Sequence, residues 1–264
     1  MLLQDRAALI TGGAGRLGKV IAATLRREGA AVAIADSNPD RIGDVLPGLQ
    51  HTPGPRVVGL RTDVTDPAAV ARVIADAEAA IGRIDILVNA HGYVPNCPLL
   101  DVEVEEWDRT FDVNVKGTML MCQAMGRRWV RDGIRGAIVN LSSGASLSAR
   151  PGGAHYCGSK AAVNLLTEVL ATELGPHGIR VNAVAPGLVM DEVLTEETPD
   201  QHEYVNLMLR GTPLGRTGSP QDIAEAIAFL ASERSSWTTG VVVEITGGQH
   251  CGRTHMPHTR TMKN

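Results

Sequence analysis

The stretch "AALITGGAGRLGKVIAATL", residues 7–25, decides the fold of this chain. Its short apolar run ends in the glycine-rich turn "TGGAGRLG" (11–18), and apolar residues at helical spacing follow. Glycines let a backbone turn tightly and approach a diphosphate, and the next helix offers free N–H groups and the positive end of its dipole. The stretch therefore predicts a strand–turn–helix unit that binds a dinucleotide. The predicted contact residues are Gly12, Gly15, Arg16, Leu17 and Gly18.

Short runs rich in valine and isoleucine recur along the rest of the chain. They are "AVAIAD" (31–36), "VVGLRTD" (57–63), "IDILVN" (84–89), "GAIVNLSS" (136–143), "GIRVNAVAPG" (178–187) and "GVVVEI" (240–245). Between them lie helical stripes, one at Leu17, Val20, Ile21 and Leu25, one at Phe111, Val115, Thr118, Cys122, Met125 and Trp129, and one at Ala162, Leu165, Leu166, Val169 and Leu170. This alternation predicts an α/β fold, a Rossmann-like doubly wound parallel sheet of about seven strands with helices on both faces.

No internal repeat or low-complexity linker divides the chain, so we expect one domain over residues 1–264. Residues 188–214 predict a loop–helix insertion after the sixth strand, in which apolar side chains alternate with acids. We interpret this insertion as a mobile lid over the substrate, with a plain core position as the default for Met208. Residues 249–264 form a short polar tail.

Composition and charge disfavour several classes of function. The 264 residues carry a net charge of −4, a pI near 6.1 and no run of lysine or arginine, so binding to nucleic acid or to an anionic membrane is not expected. No window approaches the ~18 consecutive apolar residues of a membrane span. The first residues lack the apolar run of a signal peptide, which predicts a cytoplasmic protein. The four cysteines form no CxxC pair, so we expect free thiols and no metal site.

Acidic residues at two strand ends indicate the nucleoside side of the site. Asp36 ends the second predicted strand, 18 residues after Gly18. A carboxylate there accepts hydrogen bonds from an adenosine ribose and repels a 2′-phosphate, which favours NAD over NADP. Two alternatives stay open, that Asp36 only caps the following turn and that Arg16 binds a phosphate group. Asp63 and Val64 follow the third strand, where open α/β sheets bind ligands, although this segment also fits a helix cap.

Further motifs follow in one order along the chain. They are "NAHG" (89–92), "DVNVKG" (112–117), Ser143, Tyr156 and Lys160, with Ser143 placed 13 residues before Tyr156. With them the chain resembles the short-chain dehydrogenase/reductase family over roughly residues 6 to 248. The resemblance implies an NAD(P)-dependent oxidoreductase that assembles as a tetramer or dimer. The implied catalytic residues are Asn114, Ser143, Tyr156 and Lys160, and the implied cofactor contacts include Asn89, Ala90, Tyr156, Lys160, Pro186, Gly187 and Val189.

Three positions depart from the pattern of that family. Arg16 stands where the turn has its middle glycine. His91 stands where a small residue is usual, and Asp191 replaces a threonine that commonly meets the nicotinamide amide.

The stretch "HYCGSKAAV" (155–163) sets Tyr156 four residues before Lys160 on a predicted helix. An alcohol that gives up a hydride must also lose its hydroxyl proton, and a phenol with a pKa near ~10 is a poor base at neutral pH. Residues at i and i+4 share a helix face, so Lys160 and an oxidised nicotinamide can both stabilise the phenolate. We therefore predict Tyr156 as general base and acid, with Ser143 positioning the substrate oxygen. By resemblance, Asn114 distorts its helix locally and anchors water that links Lys160 to solvent.

Candidate substrate residues lie in three segments. Arg150 and His155 flank the glycine-rich loop before Tyr156 and are predicted to line the substrate cleft, where either can bind a carboxylate. The alternative that both side chains point into solvent stays open. Met190 and Val193 are predicted substrate contacts of the insertion. The tail holds His250, Cys251, His255 and His258, whose spacing fits no standard metal site. We expect Arg253 and His255 to contact a second subunit near its substrate entrance.

Three functions are compatible with these residues. The first is an NAD-dependent dehydrogenase that interconverts a secondary alcohol and a ketone, on a small-molecule substrate such as a sugar, a cyclic alcohol or a hydroxy acid. The second is an NADPH-dependent carbonyl reductase of the 3-oxoacyl-carrier-protein reductase type, with Arg16 on the 2′-phosphate. The third is a catalytically silent NAD-binding sensor.

Overall fold

The computed structural model describes residues 1–251 of the chain. Seven parallel strands form one sheet in the order β3-β2-β1-β4-β5-β6-β7. They are β1 (Ala7–Thr11), β2 (Ala31–Asp36), β3 (Val57–Arg61), β4 (Ile86–Asn89), β5 (Ala137–Leu141), β6 (Arg180–Pro186) and β7 (Val242–Ile245). The strand order reverses between β1 and β4, and ligands of such sheets bind at this point, beyond the carboxyl ends of the strands. The predicted Rossmann-like doubly wound sheet is confirmed.

Residues 1–251 form eight α-helices, most of which cover the two faces of the sheet. They are α1 (Arg16–Arg27), α2 (Pro39–His51), α3 (Pro67–Ile81), α4 (Val104–Phe111), α5 (Gly117–Asp132), α6 (Ala154–Leu174), α7 (Glu203–Arg210) and α8 (Pro220–Ala231). Side chains of a strand alternate between faces. Ile10 of β1 accordingly joins a core with α1, α2 and α8, while its neighbour Leu9 joins a second core with α3, α5 and α6.

Local sequence sets where several helices begin. Pro39, Pro67 and Pro220 occupy the first turns of α2, α3 and α8, where a missing N–H costs nothing. The capping side chains are Asn38, Asp66 and Ser219. Asn38 and Asp66 therefore cap the helices α2 and α3, while Asp36 and Asp63 each accept a hydrogen bond from the backbone two residues later, in the turns that precede these helices.

A π-turn interrupts the long helix predicted around Phe111–Trp129. Residues Asp112–Lys116 form this turn between α4 and α5. Such wider turns free backbone groups from the regular helix ladder and are frequent at functional sites. The local distortion at Asn114 that the resemblance implies is present.

The predicted buried face of α6 is wrong. Leu165 and Val169 of the predicted stripe are 63% and 45% exposed. The helix instead turns Tyr156, Lys160 and the small or β-branched residues Val163, Thr167 and Ala171 inward. The reason is that this helix buries its polar, functional residues, so its most hydrophobic stripe does not mark its core face.

The insertion at residues 188–214 is mostly irregular. Its helix α7 buries Val205 and Leu209 and leaves Tyr204 half exposed. Parallel bridging between Val189 and Gly218 holds the start of the insertion to the segment before α8. Within residues 1–251, none of the helices has the length and apolarity needed to cross a bilayer.

Candidate active site

A cleft of about 750 Å³ opens at the carboxyl ends of β1, β4, β5 and β6. Residues predicted as site residues line it from several elements: Gly12, Gly15, Arg16, Leu17, Gly18, Ala90, Ser143, Arg150, Tyr156, Lys160, Pro186, Gly187 and Val189. The sheet topology thus brings the glycine turn and the tyrosine–lysine pair to one cavity.

The glycine turn fits a dinucleotide diphosphate. Gly12 has a φ of +62°, and a Cβ atom there would lie 2.6 Å from the Cα atom of His91. The α1 helix begins at Gly15 without a side-chain cap and without an acid in its first turn. Its first N–H groups are therefore available to an anion that lies in the cleft.

Ser143, Tyr156 and Lys160 meet where β5 ends and α6 begins. Ser143 follows β5 and hydrogen-bonds Tyr156. The Lys160 Nζ atom lies 6.0 Å from the centroid of the Tyr156 ring and donates a hydrogen bond of 2.7 Å to the Leu141 carbonyl. The carbonyl fixes the ammonium group beside the phenol ring.

The pKa of Tyr156 does not follow the expectation from the spacing alone. Burial raises it above its ordinary value, and the hydrogen bond from Ser143 and the charge of Arg150 offset only part of that effect. Burial also lowers the pKa of Lys160 to about 8, because the ammonium group loses its hydration. Without a cofactor, the spacing of Tyr156 and Lys160 on α6 therefore does not make the phenol a base at neutral pH. A further cation beside Tyr156 is needed to stabilise the phenolate.

Asn114 is fully buried in the π-turn and holds two neighbouring segments. Its Nδ2 atom donates to the Tyr93 carbonyl and to Ser159 Oγ, each at 2.9 Å. Its Oδ1 atom accepts from the Tyr93 amide at 2.7 Å. Asn114 thereby joins the segment after β4 to α6 at Ser159, the residue directly before Lys160.

His91, one of the departures from the family pattern, forms a buried contact beneath the cleft. Its Nδ1 atom lies 2.6 Å from Thr11 Oγ1, and its Nε2 atom lies 3.4 Å from Thr118 Oγ1. Burial and the charge of Lys160 lower its pKa to about 3. The imidazole is therefore neutral at physiological pH and bridges the glycine turn and α5.

The other two departures, Arg16 and Asp191, contact each other. Arg16 Nη1 donates to the Val189 carbonyl at 2.7 Å and lies 3.8 Å from Asp191 Oδ1. Both side chains are well exposed, so the ion pair itself adds little stability. The two contacts instead fix the orientation of the Arg16 side chain, whose guanidinium group points to the segment after β6.

Asp36, Asp63 and Val64 lie at the ends of β2 and β3, outside the lining of the cleft. Asp36 is buried and accepts a hydrogen bond of 3.1 Å from the Asn38 amide. Asp63 accepts from the amide and hydroxyl of Thr65, which lowers its pKa. Their contacts with a cofactor stay predictions.

Asn89 is not among the lining residues of the described chain, and its contact with a cofactor stays a prediction. Asn89 is 1% exposed and donates to Asn140 Oδ1 at 2.9 Å. Asn140 in turn donates to Thr167 of α6. Asn89 thus serves a polar network that crosses the sheet, which the motif alone does not reveal.

Of the predicted substrate residues, the structure places Arg150 in the cleft. The prediction that His155 lines the substrate cleft is wrong. Its side chain is fully buried in the first turn of α6, and its Nε2 atom lies 3.9 Å from a Glu106 carboxylate oxygen. Met190 and Val193 are not among the lining residues of the described chain, since the insertion turns them elsewhere. Met208 lines the cleft and is not a plain core residue.

Several lining residues were not assigned to the site from the sequence. They include Val94, Ser148, Tyr204, Gln249 and His250. Their positions come from loops that carry no periodicity, although Gln249 and His250 begin the predicted tail. The predicted contacts of Arg253 and His255, and His258 of the tail, lie outside the described residues.

Comparison with known proteins matches this geometry to a family. Residues 3–250 match the family model described as Enoyl-(Acyl carrier protein) reductase. The chain is 34% identical over 249 residues to the L-rhamnose 1-dehydrogenase (NAD(P)(+)) of Sphingomonas sp. (strain SKA58), covering 94% of this chain and 98% of that relative. It is 37% identical over 254 residues to the (3R)-3-hydroxyacyl-CoA dehydrogenase of Mus musculus, covering 93% and 96%.

A solved structure agrees with these relatives. The short-chain type dehydrogenase/reductase from Mycobacterium ulcerans has a TM-score of 0.88 and 34% identity over 96% of this chain and 92% of that one. The chain belongs to the short-chain dehydrogenase/reductase family. This short-chain dehydrogenase/reductase is an oxidoreductase that acts on CH–OH groups or the corresponding ketones with NAD(P).

Proposed function

We propose that this short-chain dehydrogenase/reductase is an NAD-dependent enzyme that interconverts a secondary alcohol and a ketone. The observation that carries the proposal is the meeting of Ser143, Tyr156 and Lys160 with the glycine turn in one cleft. A dinucleotide seated on that turn supplies the hydride acceptor, and the substrate lies between it and Tyr156.

Tyr156 moves the proton in this mechanism. The Tyr156 phenolate accepts the hydroxyl proton of the alcohol. An oxidised nicotinamide cofactor held at the glycine turn would take the hydride from the same carbon, so the balanced products would be a ketone, the reduced cofactor and neutral Tyr156. Ser143 hydrogen-bonds the substrate oxygen and holds it in place. Lys160 keeps a positive charge beside the ring, and Asn114 positions α6 through Ser159. The reverse reaction uses the same groups.

Two observations support NAD over NADP. Asp36 ends β2 and is followed by the neutral residues Ser37 and Asn38. A carboxylate at that place favours a ribose hydroxyl and repels a 2′-phosphate. Arg16, the alternative partner of a 2′-phosphate, is bound to the Val189 carbonyl near β6, on the other side of β1 from β2.

The insertion at residues 188–214 is proposed as a lid over the substrate. Its helix α7 brings Tyr204 and Met208 to the cleft. Gln249 Nε2 lies 3.1 Å from Met208 Sδ, which ties the helix to the start of the tail. We propose that the insertion and the tail belong to one domain with the rest of the chain.

We also propose a cytoplasmic homo-oligomer, a tetramer or a dimer. Leu165 and Val169 expose an apolar stripe on α6, and Trp237, next to β7, is fully exposed. Exposed apolar surface of this kind marks sites of association. All four cysteines are free thiols, as expected in a reducing compartment.

The experiment that tests the function is a screen for cofactor reduction. The purified protein is incubated with NAD or NADP and a panel of secondary alcohols, including sugars, cyclic alcohols and hydroxy acids, and formation of reduced cofactor is recorded. We expect turnover with NAD in preference to NADP. Tyr156→Phe should lower kcat by about 10²–10⁴-fold, the range of general acid–base catalysis. Equal turnover by this variant, or a preference for NADP, would overturn the corresponding part of the proposal.

A further inference from the structure

Arg150 is a basic residue of the cleft that has no acidic partner within residues 1–251. It lies in the loop between β5 and α6, with its guanidinium carbon 5.5 Å from the centroid of the Tyr156 ring. Its Nε atom is buried and has no hydrogen-bond partner. Nor does any hydrogen bond or ion pair join the side chain of Arg150 to another residue within 1–251, although its carbonyl accepts from the Gly153 amide.

The other basic residues of the cleft are already engaged. Arg16 contacts the Val189 carbonyl and Asp191, and Lys160 donates to the Leu141 carbonyl. His250 Nδ1 lies 2.7 Å from Glu244 Oε2. The lining residues of the described chain include no aspartate or glutamate. The tail segment at residues 252–264 also has no acidic side chain.

A partly buried guanidinium group without an acidic partner calls for an anion. Burying part of a cation without a partner costs free energy, and a carboxylate that accepts two hydrogen bonds from the planar guanidinium recovers it. The cofactor diphosphate does not suit this role. Arg150 follows β5, two strands away from β1 and its glycine turn, which at ~4.8 Å per strand amounts to roughly 10 Å.

We propose that Arg150 binds the carboxylate of the substrate, so that the enzyme oxidises a short hydroxy acid and reduces the matching oxo acid. The inference rests on the proposed function, because it places the reacting hydroxyl at Tyr156 and Ser143. The guanidinium lies against the ring of the general base, so the carboxylate is only a few bonds from the carbinol carbon. Arg150 thereby selects the substrate class and orients the alcohol.

The test compares charged and neutral substrates of the same carbon skeleton. The probes are both enantiomers of lactate and of 3-hydroxybutyrate, their methyl esters, and 2-butanol, each with NAD. The proteins are the wild type, Arg150→Met, Arg150→Lys, and Arg72→Met as a control at an exposed arginine of α3.

We expect the wild type to favour an acid over its ester in kcat/KM. Arg150→Met should lower kcat/KM for the acid roughly 10- to 100-fold, mainly through KM, as for loss of a charged hydrogen-bonded pair. The same variant should lower kcat/KM for the ester and 2-butanol less than for the acid, and mainly through kcat, because for these neutral substrates only the effect of the Arg150 charge on Tyr156 is lost. Arg150→Lys should retain part of the preference for the acid because its charge persists. Arg72→Met should behave as the wild type.

Four outcomes would count against the proposals, and they are distinguishable once a hydroxyalkyl phosphate is added to the probes. Equal use of acid and ester by the wild type, or an unchanged KM for the acid in Arg150→Met, overturns the carboxylate assignment alone. Faster turnover of a hydroxyalkyl phosphate than of any acid assigns Arg150 to a phosphate and also overturns it. Lack of turnover with every alcohol, acid and ester in the screen, with both NAD and NADP, overturns the proposed function itself.

Discussion

At the scale of the residue, the reactive groups are defined by what surrounds them. Lys160 is 4% exposed, and burial holds its pKa near 8, while Tyr156 is buried with a raised pKa. Each group is thus less charged in the cofactor-free protein than in water. A bound cation beside Tyr156 reverses this balance for the phenol, since an opposite charge favours the ionised form.

The buried ammonium group predicts a pH dependence of stability. The pKa of Lys160 falls from 10.5 in its ordinary state to about 8 in the fold. The contribution of Lys160 to the free energy of unfolding is fully present above the unfolded-state pKa of 10.5 and is lost as the pH falls through the folded-state pKa of about 8. The free energy of unfolding of the cofactor-free protein should therefore rise by about 2 kcal/mol from this group between roughly pH 7.5 and 9.5.

Denaturant unfolding at several pH values measures this contribution. Lys160→Met removes the titrating group, so the difference in unfolding free energy between wild type and variant should change with pH by that amount. Lys19→Met, at an exposed lysine of α1, is the matched control and should show a constant difference. A Lys160→Met variant with the same pH dependence as the wild type would contradict the burial argument.

Sequence reasoning reached some residues of the site and missed others for identifiable reasons. Tyr156 and Lys160 were found because their spacing is fixed by the helix itself. His155 was misplaced because one step along a helix turns a side chain by about 100°, and the neighbour of a cleft residue is then buried behind it. Tyr204 and Met208 were not assigned to the site because loops, and not periodicity, bring α7 to the cleft.

At the scale of the element, existence and order were predictable, while the face of α6 was not. The central strands are mostly apolar and buried, as a sheet covered on both sides requires, whereas the edge strands β3 and β7 are partly exposed. Helix α6 carries its strongest apolar residues outward and its polar functional residues inward. Hydrophobic periodicity therefore predicts the helix correctly but assigns its solvent-exposed face to the core.

The outward stripe of α6 predicts an association surface. Leu165→Glu and Val169→Glu place charges where apolar side chains would meet a second copy, so each variant should form a smaller species than the wild type in light scattering coupled to size exclusion. Leu100→Glu changes an exposed leucine of another segment and serves as control. A wild-type protein that is monomeric at micromolar concentration would remove the prediction.

At the scale of the whole molecule, the cleft joins elements from both halves of the chain. The glycine turn comes from the first strand and helix, whereas Tyr156, Lys160 and the insertion come from the second half. A ligand that contacts both halves stabilises the entire fold. Its effect on thermal unfolding thus reports binding without any reaction.

NAD should raise the melting temperature of the protein. At a concentration 100 times its Kd, a ligand adds about 2.7 kcal/mol, which for a chain of this size corresponds to roughly 5–10 °C. NADP at the same concentration should give a smaller shift. Asp36→Ala should reduce the difference between the melting-temperature shifts caused by NAD and NADP. Asp40→Ala, at an exposed position of α2, should leave that difference unchanged. A larger shift with NADP in the wild type would contradict the assigned role of Asp36.

The ionisation of Tyr156 tests the central claim most directly. The chain has three tyrosines, so the ultraviolet difference titration of the wild type against Tyr156→Phe isolates one phenol. Without cofactor, the pKa of Tyr156 should lie above its ordinary value of 10.0. With saturating NAD, whose nicotinamide ring carries a positive charge, the pKa should fall well below that value. A pKa that NAD leaves unchanged would contradict the account, because Tyr156 could then not accept the proton of an alcohol at neutral pH.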